Sequence, residues 1–337
     1  MLVKEIGEFG LIGLIERLVA KSSDFSGKVA LGIGDDAAVV DPPRTGKMLL
    51  TTDTMVENVH FNRSYARPED IGYKAMAVNI SDVAAMAGTP EYALVTLGLT
   101  PDTEVEFVTG LYRGLINAAR AFDVAVVGGD LTKSNRFFIT VSLTGRAEAG
   151  LTRRRSDARA GDGILVTGSL GGSAAALKLL KGGGRPTRGY SVALYARHNR
   201  PKPRVAEARA AARTGARAMQ DVSDGLLADL AHICDASGLG ARVMLAQVPV
   251  FPEAAKAGFT PAEAQRLALT GGEDYELLLT APPAKVEAIT GAVGKDTGTA
   301  LTVIGEMAAG PGEIVIVGPD GGPLTMKRRG YDHFLGS

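Results

Sequence analysis

The feature that most restricts how this chain folds is a recurring local pattern. A short apolar run of strand length breaks into glycine, threonine or aspartate, and a helical stretch often follows. "KMLLTTDT" (47–54) is such a run, with the character of a buried strand ending in polar residues. "VAVVGGD" (124–130) is another, a strand breaking into a turn, and "AMQDVSDGLLADLAHICDA" (218–236) reads as strand, turn and helix. Apolar runs of this length bounded by turn residues favour strands, and longer periodic stretches favour helices. Helices are expected over 8–20, 67–88 (stopped by Gly88), 102–122 and 204–214, and further strands over 91–99, 136–147 and 163–168. This alternation predicts an α/β (α+β) architecture. "EAGLTRRRSDARAGDG" (148–163) has no periodicity, so the boundary falls near residue 149 and divides the chain into 1–148 and 149–337.

Length agrees with two domains, since 337 residues exceed the usual size of one. With 37 basic and 37 acidic residues the formal net charge is zero, which supports neither a nucleic-acid partner nor a membrane partner. Cys234 is the only cysteine, which excludes an internal disulfide and a Cys-rich zinc site, and its helical context predicts a core role. The first 21 residues carry acids on both sides of a short apolar run, a poor signal peptide and too short a membrane span. A cytoplasmic location is expected.

The breaks themselves carry the chemistry. "GIGDDAAVV" (32–40) fits G-x-G-x-x-A through Gly32, Gly34 and Ala37, but "AAVVD" looks extended where a dinucleotide loop would open a helix. Asp35 and Asp36 would also repel a pyrophosphate. Further acidic positions recur at comparable breaks: Thr51, Thr52 and Asp53; Asn79 and Asp82, on one helix face; Asp130; Asp221, Ser223 and Asp224; Glu273 and Asp274. Taken singly, each reads as a helix cap or turn residue. Gathered, carboxylates are costly unless a cation offsets them. Carboxylate, hydroxyl and carbonyl oxygens suit Mg²⁺, which commonly bridges one or two carboxylates to substrate phosphates. The chain has neither a P-loop nor a protein-kinase signature. A metal-dependent phosphate enzyme is therefore expected.

The carrying segments are "GEFGLI" (7–12), "GIGDDAAV" (32–39), "TTDTMVENVHF" (51–61), "GYKAMAVNISDVAAMAG" (72–88), "GGD" (128–130), "LTRR" (151–154), "DVSDGL" (221–226), "GGEDYEL" (271–277) and "GYDHF" (330–334). In this order, over nearly the whole chain, they resemble the thiamine-monophosphate kinase family of the aminoimidazole ribonucleotide synthetase-like ATP-binding superfamily. The resemblance implies a two-domain α/β protein whose N-terminal domain forms a β-barrel across a homodimer, with ATP in a cleft using both domains. It implies conversion of ATP and thiamine phosphate to ADP and thiamine diphosphate, the last step of thiamine diphosphate synthesis. It assigns Asp36, Thr51, Thr52, Asp53, Asp82, Asp130, Asp221 and Asp224 to several Mg²⁺ ions. Gly129, Asp130, Arg153 and Ser223 are assigned to ATP, with Arg154 or Arg155 as substitutes for Arg153. His60, Glu273 and Tyr331 are assigned to thiamine phosphate. Selenophosphate synthetases need an N-terminal reactive Cys or selenocysteine, and the related hydrogenase factor needs a cysteine-bearing tail; this chain has neither.

Phosphoryl transfer requires alignment and charge neutralisation more than covalent help. The attacking phosphate oxygen is ionised near neutral pH, so neither a base nor a phosphoenzyme is expected. His60 reads either as a structural histidine or as a donor to the acceptor phosphate. Tyr331 reads as C-terminal packing or as a stacking partner for an electron-poor ring. Glu273 reads as a turn carboxylate or as a partner for an aminopyrimidine edge. His198, His232 and His333 read as structural. "ARHNRPKPR" (196–204) reads as an exposed helix entrance, with a mobile lid as the alternative, and "GSLGGS" (168–173) as either an anion site or a tight turn.

Overall fold

The computed structural model describes residues 1–21, 29–33, 37–42, 45–184, 189–310 and 313–324. Asp35, Asp36, Tyr331 and His333 lie outside the described residues. The chain divides into two compact units, one of residues 1–83 and 89–149, the other of residues 84–88 and 150–337.

The first unit runs α1 (Val3–Ala20), β1 (Val29–Leu31), β2 (Val39–Val40), β3 (Lys47–Val56), α2 (Pro68–Ala85, its last two residues grouping with the second unit), β4 (Thr89–Leu99), α3 (Val105–Ala121), β5 (Ala125–Lys133) and β6 (Phe138–Ala147). Gly7 breaks α1 with φ 66°, so its regular part begins near residue 8, where apolar periodicity starts. β1 and β2 pair antiparallel, and the extended β2 after "GIGDDAA" excludes the dinucleotide geometry, which needs a helix there. β3, β6, β4 and β5 form a four-stranded sheet in that order, with only β4 and β5 parallel. Its covered face carries Met55, Val141 and Val95, each at most 4% exposed. α2 and α3 approach each other at glycines: a Cβ on Gly72 would meet Leu111 O at 1.9 Å, and one on Gly114 would meet Glu69 O at 1.7 Å.

Two expectations change here. β3 is not a buried strand but an edge strand with one open face, where Met48 is 51% and Leu50 74% exposed. The "GGD" segment does not turn. β5 continues through Gly128, Gly129 and Asp130 to Lys133, and a register shift at Ala93/Leu94 absorbs the irregularity. Gly129 is required there, since a Cβ would lie 1.9 Å from Val95 O.

The second unit contains β7 (Gly163–Thr167), α4 (Gly172–Lys181), α5 (Tyr190–Asn199), α6 (Val205–Thr214), β8 (Met219–Asp221), α7 (Leu226–Ser237), β9 (Gly240–Met244), α8 (Glu253–Lys256), α9 (Pro261–Thr270), β10 (Leu277–Ala281), α10 (Pro283–Thr297), β11 (Leu301–Ala308), β12 (Ile314–Val317) and β13 (Pro323–Leu324). The sheet order is β13-β12-β9-β11-β7-β10-β8. "GILVT" and "LLLTA" are continuous apolar runs because helices cover both faces of the central strands. Ile164, Val166 and Leu278 join the core under α7 and α9, whereas Leu165, Leu277 and Leu279 join the core under α6 and α10. Cys234 is buried in the former core, as its helical context predicts.

Candidate functional site

Each unit gathers part of the predicted acid set. In the first, side chains along β3 alternate between faces. Thr51 and Asp53 point to the face under α2, where Asp82 stands. The Thr51 hydroxyl donates to Asp82 Oδ2 at 2.5 Å. Burial, and next the neighbouring Asp82 charge, push the Asp53 carboxyl up to about 7. Two acids and a hydroxyl thus converge where ionising both carboxylates is unfavourable.

Thr52 does not join them through its side chain. Its hydroxyl lies on the open face, 3.0 Å from Ser142 Oγ and 3.3 Å from Val141 O. Asp130 is exposed on β5, at the opposite edge of the sheet from β3, with β6 and β4 between. Among the described residues no group of three or more His, Cys, Asp or Glu could hold a metal ion. The Asp53–Asp82 pair with Thr51 nevertheless fits a hard divalent cation. All its donors are oxygens, and Mg²⁺ takes one or two carboxylates, completing its shell with water and phosphate.

His60 lies just past β3. The Val56 N–H donates to its Nδ1 at 3.0 Å, so Nδ1 is an acceptor and Nε2 carries the proton in the neutral ring. That tautomer suits donation to an anion.

In the second unit, the loop 222–225 joins β8 to α7 and lies beside the loop 271–276 before β10. Glu273 N–H donates to Ser223 O at 2.7 Å, Tyr275 N–H to Val222 O at 2.9 Å, and Val222 N–H to Glu276 O at 2.8 Å. Asp221, Ser223, Asp224 and Glu273 therefore belong to one hydrogen-bonded neighbourhood. Glu273 and Tyr275 have φ of 65° and 50°, left-handed values that cost on the order of 1 kcal/mol each for residues with a Cβ. Such strain clusters at functional segments.

That strain turns Asp274 inward. Gly171 N–H and Ser173 N–H donate to its carboxylate at 2.6 and 3.1 Å. The "GSLGGS" turn is thus filled by the protein's own carboxylate, and the tight-turn reading replaces the anion site. Burial pushes Asp274 up to about 6, against the pull of Arg197 and of those two amides. Asp229 plays a similar part in α7, accepting from Asp224 N–H and Gly225 N–H at 3.1 and 3.0 Å. Burial, with the Asp224 charge adding, pushes it up to about 7.

The stretch 196–204 is not an exposed helix entrance. Arg204 is buried and grips Glu276 with two bonds of 2.7 Å, and it also donates to Glu207 at 3.2 Å. Arg197 reaches Glu276 at 2.9 Å and Ser169 O at 2.6 Å. The Thr167 hydroxyl donates to Glu276 at 2.7 Å. His198 is 1% exposed, with Nδ1 3.0 Å from Ser173 Oγ and 3.3 Å from Glu273 Oε2. Sequence reading missed Asp229, Asp274, Glu276, Arg197 and Arg204 as a structural set. The available signal was an acid at alternate positions, Asp274 and Glu276, directly ahead of an apolar strand.

Arg153 is committed elsewhere. Its Nε and Nη2 donate to Ala216 O and Ala212 O, both at 2.6 Å, capping the C-terminus of α6, and Nη1 donates to Gly150 O and Thr152 O. Arg154 pairs with Asp157 at 2.9 Å.

Residues 34–147 match the AIR synthase related protein N-terminal domain, and residues 159–318 match the AIR synthase related protein C-terminal domain. A thiamine-monophosphate kinase of Escherichia coli O157:H7 is 39% identical over 331 residues, covering 97% of this chain and 98% of that protein. This chain belongs to the thiamine-monophosphate kinase family. The solved thiamine-monophosphate kinase of Stenotrophomonas maltophilia K279a superposes with a TM-score of 0.83 at 34% identity, covering 95% of this chain and 98% of that one. The structure "AaThiL complexed with AMPPCP and TMP" superposes with a TM-score of 0.76 at 37% identity, covering 99% of each chain. The two-domain α/β architecture expected from the sequence is that of the family. Among the described residues no helix is long and apolar enough to cross a membrane.

Proposed function

We propose that the protein transfers the γ-phosphoryl group of ATP to thiamine phosphate, giving ADP and thiamine diphosphate. The observation that carries this reading is AaThiL, matched over 99% of both chains and holding AMPPCP, an ATP analogue, together with TMP. The Thr51–Asp53–Asp82 group supports it, because paired carboxylates under a helix favour a bound cation.

Asp53, Asp82 and Thr51 would hold Mg²⁺ in the first unit and Asp221 and Asp224 in the second, with Asp36, Asp130 and Thr52 completing the set. Thr52 can contribute its backbone carbonyl, since its hydroxyl faces the other way. When bound, Mg²⁺ supplies the positive charge that lets donor and acceptor phosphates approach. His60 donates through Nε2–H to the acceptor phosphate. Glu273 accepts from the aminopyrimidine edge, and Tyr331 stacks on the substrate. Gly129 and Ser223 contact ATP. Arg153 would have to release carbonyls of α6 to do so. No base is required, and the transfer is direct and in line.

The working form is a homodimer on this reading. The open face of the four-stranded sheet exposes Met48, Leu50 and Leu94 at 51%, 74% and 46%, and both its outer strands, β3 and β5, are available to a second copy closing a barrel.

Product analysis with ATP, Mg²⁺ and thiamine phosphate tests the activity. Stoichiometric ADP and thiamine diphosphate are expected. ADP release indifferent to thiamine phosphate, or ATP binding without turnover, would refute it.

A further inference from the structure

The Glu273 carboxylate is not what holds its loop in place. Backbone bonds to Ser223 O and Val222 O pin that loop, and Asp274 anchors it to the start of α4. The Glu273 side chain is 27% exposed, and yet a histidine ring with 2% side-chain exposure is spent on it. A carboxylate only accepts, so His198 Nδ1, 3.3 Å from Oε2, bonds to it in the tautomer that carries the proton on that nitrogen. The Ser173 hydroxyl, 3.0 Å from the same nitrogen, accepts a share of that proton and holds the same edge of the ring. Ser173 is itself tied down through its N–H to Asp274. The last turn of α5 thus presents two successive residues to one loop. Arg197 serves the buried Glu276, and His198 serves the partly exposed Glu273.

We propose that His198, braced by Ser173, is a positioning residue that aims the Glu273 carboxylate at an exocyclic amino group of the acceptor. It thereby sets a preference for an aminopyrimidine over a pyrimidine bearing a carbonyl oxygen at the same place. The inference rests on the assignment of Glu273 to the acceptor made above. A carboxylate accepts from an amino group and repels a carbonyl oxygen, so the preference depends on where its oxygens point. One acceptor position used by His198 orients the others.

The full-length protein is assayed with thiamine phosphate and with the analogue whose pyrimidine amino group is replaced by oxygen. Wild type that forms no thiamine diphosphate overturns the parent reading and this one with it. If wild type is active, His198→Leu is expected to raise KM for thiamine phosphate about 10-fold, as loss of a hydrogen bond to a charged group does. KM for ATP and kcat should stay within about twofold, and the amino-over-oxo preference should fall about 10-fold. His198→Asn, which keeps an N–H donor, should recover most of the loss. Combining His198→Leu with Glu273→Gln should add nothing beyond Glu273→Gln alone. Additive losses, or parallel changes in both KM values with the melting temperature, would overturn the proposal. Should the Leu variant not fold, His198→Asn and Ser173→Ala decide: a smaller shift in preference supports it, and an unchanged preference in both overturns it.

Discussion

Replacing Asp82 with Asn should separate stability from turnover. Asp53 is pushed from 3.8 to about 7, first by burial and next by the Asp82 charge. That change corresponds to about 4 kcal/mol against the ionised form before screening by solvent, at 1.36 kcal/mol per pH unit. Burial is the larger cause, so removing the Asp82 charge returns about 1–2 kcal/mol. The sign follows from proton linkage. Between roughly pH 4 and 7 the native state retains a proton that the unfolded state has lost, so native stability falls as pH rises through that window. Asp82→Asn keeps an acceptor for the Thr51 hydroxyl and removes the repulsion. Without divalent ions at pH 8, urea unfolding should show the variant about 1–2 kcal/mol more stable than wild type, with a flatter decline from pH 4 to 7. Added Mg²⁺ should stabilise wild type and leave the variant nearly unmoved, while thiamine diphosphate formation falls at least about 100-fold. A variant less stable than wild type at pH 8, or one with near-normal turnover, would refute the reasoning.

Two further substitutions test the second unit. Arg204→Met removes the cation bonded to both Glu276 and Glu207 and should cost about 3–5 kcal/mol in urea unfolding, because buried carboxylates lose a shared partner; a loss under about 1 kcal/mol would mean that the network reorganises freely. Asp274 is pushed up to about 6 by burial, so wild-type stability should decline between roughly pH 4 and 6 from this group. Asp274→Asn should lose that slope in melts across the same range while keeping an oxygen for one amide of α4, and an unchanged slope would contradict the assignment.

What was legible in the sequence was what period and spacing can express. Run lengths identified most strands and helices of the first unit and the first elements of the second, but the Pro/Gly-rich surroundings of 190–199 read as loop where α5 forms. The i,i+3 pair Asn79 and Asp82 placed the acid of α2 on a definite face. The facing of Thr51 and Thr52 is also local, since adjacent strand residues cannot point the same way, so only one of the two hydroxyls can face Asp82. "GGD" misled because two glycines usually break a strand, whereas here Gly129 is the residue that lets the parallel neighbour pass within 1.9 Å of where a Cβ would stand. The ion network was not legible for a different reason. Arg204 and Glu276 are 72 residues apart, and Thr167 and Glu276 are 109 apart. Zero net charge says nothing about which charges are buried together, and the basic look of 196–204 argued for solvent when burial beside Glu276, Asp274 and Glu273 was the outcome. Acids that serve the fold and acids that serve a ligand therefore look alike in sequence. Within "GGEDYE" they separate only through backbone handedness: left-handed Glu273 and Tyr275 drive Asp274 and Glu276 inward and leave Glu273 at the surface, with His198 behind it.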